Sequence, residues 1–155
     1  MFGKNVDRAS FFQQQELYQA KRAAFLDNAV FHWTFDLDDG KNPMMKKARS
    51  YVTNWPQVRQ DHISLLLWGD IGTGKSFFAG CIANALIEQH VVVRMTNFSR
   101  ILDKVGAGYS EEKTRFLDEL STCELLILDE ATAAMDMEST LAAEKLMHDY
   151  CRETG

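Results

Sequence analysis

The residues Gly69-Asp70-Ile71-Gly72-Thr73-Gly74-Lys75-Ser76 fit the pattern G-x-x-x-x-G-K-[ST] at every position. In such a loop the glycines let the backbone wrap an anion where a Cβ would clash. Successive N–H groups then turn inward as an anion nest. The helix that follows adds the positive end of its dipole. Lys75 supplies a mobile cation for the β- and γ-phosphates, and the Ser76 hydroxyl is a magnesium ligand. Phe77 completes the nucleotide-binding stretch. The expected ligand is ATP with Mg2+.

A second pattern supports the first. Leu125-Leu126-Ile127-Leu128-Asp129-Glu130 is an apolar run that ends in two carboxylates. Asp129 is the expected second magnesium ligand, direct or through water. Glu130 is placed to orient or deprotonate an attacking water, and with Lys75 forms the expected catalytic pair. Phosphoryl transfer also asks for an arginine. Arg94, Arg100, Arg115 and Arg152 are available, and sequence assigns none of them.

These residues need a scaffold that brings strand ends to one edge. Ile63–Trp68 is a continuous apolar run, as expected of a strand buried on both faces. Residues 74–89 read as a helix, Val91–Met95 as a strand and Phe98–Val105 as a helix. Gly106–Ser110 reads as a loop, Glu111–Leu120 as a helix, Leu125–Leu128 as a third buried strand, and 137–152 as an amphipathic helix. Strands alternating with helices predict an α/β fold with a parallel sheet. Its expected form is the three-layer α/β/α sandwich of P-loop NTPases, incomplete toward the C-terminus. The nucleotide-binding core is then 61–155, preceded by a helical lead-in at 1–30 and a linking loop and helix at 31–60.

Within the lead-in, Ser10 with Gln13 reads as a capping box. Leu17, Ala20, Ala24 and Phe25 suggest one sticky face, which docks on this domain or on a partner. Residues 31–43, FHWTFDLDDGKNP, have turn chemistry. Their alternating Phe31, Trp33 and Phe35 suggest a short extended stretch against the core. Met45, Ala48, Val52 and Trp55 recur at helical spacing and predict an amphipathic helix over 44–55.

A formal net charge of −5 excludes a basic surface over the whole molecule. Lys46, Lys47 and Arg49 form only a local cluster, read as a solvated helix face. Cys81, Cys123 and Cys151 are odd in number and lack metal spacing, so reduced thiols and a cytoplasmic location are expected. Cys81 falls in an apolar helix and reads as packing. His32, His62, His90 and His148 form no ligand pattern. No run is long and apolar enough to span a bilayer, so no membrane partner is expected. Phe98 and Arg100 suit stacking and charge contact with single-stranded DNA, although a core-facing start of a helix is the preferred reading of Phe98.

From about Trp33 to Glu130 the chain resembles the bacterial and phage replicative-helicase loaders, the DnaC-like ATPases of the AAA+ class. The resemblance is carried by TFDLDDGKNP at 34–43, ARSYVTNW at 48–55, LLLWGDIGTGKSFFAGCIANALIEQ at 65–89, VVRMTNFSRIL at 92–102 and the carboxylate-ended run at 125–130. It implies an ATP switch that helps place a ring helicase on single-stranded DNA. It implies contact with the replicative helicase through Met1–Val30, and self-assembly in which a neighbouring subunit donates an arginine. Sheets of this kind have the strand order 5-1-4-3-2.

The likeness ends after Glu130. Residues 125–155 look instead like the corresponding region of ABC-transporter ATPases, where LDEAT-x-A-x-D is common. A junction of two P-loop families, or a divergent loader with a chance match, accounts for this. No LSGGQ signature precedes the run, which argues against an ABC-type ATPase fragment. A helicase adaptor that holds ATP without hydrolysing it is the other alternative.

Overall fold

The computed structural model describes residues 8–67, 70, 72–106 and 111–129. Its elements run α1 (Arg8–Ala24), two 3-10 turns (Asn28–His32 and Phe35–Leu37), α2 (Met45–Thr53), α3 (Trp55–Gln60), α4 (Lys75–Ile87), β1 (Val93–Asn97), α5 (Phe98–Gly106), α6 (Glu111–Thr122) and β2 (Leu125–Asp129). The result is a helix-rich α/β chain whose described sheet holds two parallel strands, β1 beside β2. These are the second and third of the three strands expected from sequence. No described helix is long and apolar enough to cross a membrane.

The described residues fall into two compact units. One lies within Met1–Met95 and Thr122–Ile127, the other within Thr96–Ser121 and Leu128–Gly155. The first unit is organised around α4. Its sequence KSFFAGCIANALI has no polar stripe, and a helix apolar all round must be covered all round. Nine of its residues are buried, among them Phe78, Cys81, Ile82, Leu86 and Ile87. Helix α2 packs on it through Met45, Ala48 and Val52, the positions whose spacing predicted a helix. Trp55 is buried too, but it opens the separate helix α3, which carries Pro56 in its first turn, where no donor is needed.

Both α3 and α4 end on a histidine in the left-handed region: His62 has φ 54° and His90 φ 63°. After each, the chain closes the helix by the same paired bonds. Ile63 N donates to Val58 O and His62 N to Arg59 O; Val91 N donates to Leu86 O and His90 N to Ile87 O. This is the Schellman pattern with histidine where glycine is usual. Histidine tolerates that backbone better than bulky or branched residues do.

The structure corrects three expectations. Ser10 lies inside α1, which already includes Arg8, so it is not the helix cap. Phe31–His32 and Phe35–Leu37 lie in 3-10 turns, with only Trp33 and Thr34 between them extended, although Phe31 is buried and Trp33 and Phe35 pack against the core as expected. Most consequential, residues 63–67 are not a strand. Ile63, Leu65 and Leu66 are half exposed, and among the described residues Ser64–Leu67 make no backbone hydrogen bond. The reason is pairing. Among the described residues β1 and β2 pair with each other, and neither pairs with this run.

Strand β2, expected to be buried, is half-buried on one face and exposed on the other. Leu125 and Ile127 pack against the core, while Leu126 and Leu128 alternate outward. Its start is tied by Glu124, whose N–H donates to Val92 O at 2.8 Å. The Glu124 carboxylate accepts from Val92 N and pairs with Arg59 of α3. The helix expected at 137–152 and the loop at 107–110 lie outside the described residues.

Candidate functional site

The glycine-rich motif becomes a turn that delivers the chain into α4. Gly72 and Gly74 both adopt φ +83°, and Gly74 is the residue from which the helix starts. An L side chain is strained at that φ. A Cβ built on either glycine would meet no atom within 4 Å, so the conformation, rather than protein crowding, demands glycine there. The space beside the turn is open. Phe78 N donates to Gly74 O at 2.9 Å and closes the first helical turn.

Three donors converge on one carbonyl inside this loop. Asp70 O accepts from Thr73 N at 3.4 Å, from Thr73 Oγ1 at 2.9 Å and from Lys75 Nζ at 2.9 Å. The Lys75 ammonium therefore lies back over the turn. Ser76 and Phe77 are half-buried in the first turn of α4. Gly69, Ile71 and Glu130 lie outside the described residues. Asp129 ends β2, half-buried, and belongs to the second compact unit. Of the expected site, Asp70 and residues 72–77, Ser76 included, lie in one turn and the first residues of α4.

Beside the turn is a solvent-open hollow of about 720 Å³. One wall is Gly72, Thr73, Gly74 and Phe77. The other comes from residues 37–39, 41–43 and 45. That second wall is built by turn chemistry. Asp38 accepts from Gly40 N, Asp39 from Lys41 N, and Asn42 from Met44 N. Asp39 also pairs with Lys41 at 2.6 Å, and this bond holds its carboxyl below the usual range. Arg49 clamps the same segment: it donates to Phe35 O at 2.7 Å, lies 4.7 Å over the Phe35 ring and sits 3.9 Å from Asp38. Arg49 is exposed, as expected of a solvated helix face, and also braces this segment.

Sequence reasoning missed Asn84, the polar residue that holds this segment on α4. Its Nδ2 donates to Val30 O at 2.7 Å, Trp33 O at 3.0 Å and Gly80 O at 3.0 Å. An amide has two such hydrogens, so the three carbonyls share them. Its Oδ1 is buried without a partner among the described residues. A lone asparagine in an otherwise apolar helix was the available signal. Gly80 is the companion: a Cβ there would come within 2.6 Å of Trp33 Cε3. Trp33 in turn meets Phe77 edge-on, ring centroids 6.1 Å apart. Cys81 is fully buried beside them, and burial pushes its thiol up to about 11, so it remains a neutral packing group as expected.

In comparisons with known proteins, no family model, curated protein or solved structure matches this chain.

Proposed function

We propose that this chain binds ATP with magnesium at the Gly69–Ser76 turn and acts as a nucleotide switch of the helicase-loader kind. One observation carries the nucleotide reading: an exceptionless phosphate-loop motif whose Gly72 and Gly74 both take φ +83° at the start of a buried helix. The turn fits a polyphosphate. Support comes from a lysine whose ammonium already lies over the loop at the start of a helix, and from open space where a side chain would stand.

In this reading the backbone from 69 to 76 holds the phosphates, and Lys75 leaves the Asp70 carbonyl for a phosphate oxygen. A charged oxygen is the stronger acceptor, which favours that exchange. Ser76 and Asp129 are the proposed magnesium ligands, and the ion would neutralise phosphate charge. Glu130 is the proposed water-orienting base. The arginine and sensor groups that complete hydrolysis are not assigned, so binding is the primary activity and turnover is secondary.

The loader assignment rests on the sequence likeness over residues 33–130. It makes a replicative DNA helicase the partner, with single-stranded DNA and further copies of the chain as associated components. The pairing of β1 with β2 is compatible with the adjacent 3-2 strands of a loader-type sheet.

Titration calorimetry with a non-hydrolysable ATP analogue and Mg2+ tests the nucleotide reading. Lys75→Ala should weaken binding roughly 10- to 100-fold, the range of a lost charge-assisted bond. Equal affinity in wild type and variant would remove the turn as the site. Capture of a replicative helicase by the full chain, lost on deleting 1–30, tests the loader reading separately.

A further inference from the structure

The hollow beside the glycine turn has walls of different origin. One belongs to the turn and the first residues of α4, and the other to the segment after the lead-in. Any ligand large enough to reach across the hollow meets both. The 28–37 segment is seated on α4 beside the separate contacts that α1 and α2 make with that helix. Asn84 holds the Val30 and Trp33 carbonyls, and Gly80 leaves the room that Trp33 occupies. Trp33 packs edge-on against Phe77, which is itself part of the hollow's wall. Lys21 of α1 adds a bond to Phe31 O at 3.1 Å.

We propose that occupancy of the hollow and seating of the 28–37 segment on α4 are coupled, with Trp33 against Phe77 as the joint. This rests on the nucleotide reading above and adds a regulatory consequence to it. A nucleotide in the hollow gains contacts from the second wall only while that wall is docked. It also fixes the Phe77 ring on which Trp33 rests. Binding therefore strengthens docking of the lead-in. By linkage, a partner that pulls the lead-in from α4 weakens nucleotide binding by the same factor. The chain would thus report its nucleotide state to whatever engages α1.

Hydrogen–deuterium exchange on the full chain, with and without a saturating non-hydrolysable ATP analogue and Mg2+, tests the coupling. Amides of residues 28–37 should exchange about tenfold more slowly with nucleotide, within the usual range of coupling between sites. Trp33→Ala should abolish that difference and weaken nucleotide binding about fivefold or more. Gly80→Ala should do the same by displacing Trp33, since alanine otherwise favours a helix interior. Unchanged protection of α4 amides in the nucleotide-free variants separates this from general unfolding. Nucleotide binding with unaltered exchange at 28–37 would overturn the coupling and leave the nucleotide reading standing. Wild-type affinity in a Trp33→Ala protein with α4 intact would overturn it equally. Absence of nucleotide binding in the wild type would overturn both.

Discussion

Helix α4 and the run Ile63–Leu67 are neighbours in sequence and equally apolar, yet one forms the centre of a core and the other stands open. In α4, Cys81, Ala83 and Leu86 have no exposed surface. In the run before it, Leu66 keeps 56% of its surface exposed. The difference is one of partners. A helix satisfies its backbone internally and needs only apolar cover, which α2, α1 and the 28–33 segment provide. A strand needs neighbours for its backbone as well as its side chains. Hydrophobicity states that a segment needs burial; it does not supply the surface that buries it.

The largest test of that contrast is a pair of truncations measured by chemical denaturation. Leu86→Ala should cost about 2–5 kcal/mol, as for other filled core sites. Leu66→Ala should cost less than about 0.5 kcal/mol, as for exposed positions. A large loss at Leu66 would show that the run is covered in solution and would break the comparison.

Between the two regions lies the glycine turn, where the backbone sets the cost. Gly74→Ala places a Cβ on a residue at φ +83° with nothing to collide with, so the penalty is conformational alone. About 1–2 kcal/mol of stability should be lost. A stable Gly74→Ala protein would mean that the turn relaxes without its left-handed residue.

The smallest effect sharpens the comparison at the helix ends. His90 closes the buried α4 and His62 closes α3 just before the open run, both in the left-handed region. Replacing either with glycine removes a Cβ penalty of about 1–2 kcal/mol but adds chain entropy to the unfolded state. A net gain of about 0.5 kcal/mol is expected at each site, read as a rise in denaturation midpoint. Equal gains would show that the two helix ends are equivalent and that the regions diverge only beyond them.

Much of this was legible in the residues themselves. The helix at α4, the four-position stripe of α2 and α3, the strand positions of β1 and β2 and the turn chemistry of 38–43 all follow from local pattern. So does the glycine turn, because only glycine readily accepts two left-handed positions so close together. Asn84 was overlooked because its role depends on carbonyls 51 and 54 residues earlier in the chain. Arg49 is exposed as read, but its added clamp on Phe35 escaped notice for the same reason, since it spans 14 residues.

By itself the sequence determined that α4 is a helix, that it begins after the glycine turn, and which positions of that turn must be glycine. Those outcomes depend on contacts within a few residues, where covalent geometry and local hydrogen bonds dominate. The tertiary structure alone decided that the lead-in seats on α4, that Trp33 meets Phe77 beside the hollow, and that Ile63, Leu65 and Leu66 stay exposed. These depend on which distant surfaces meet, and periodicity within one segment carries no information about the segment that will face it.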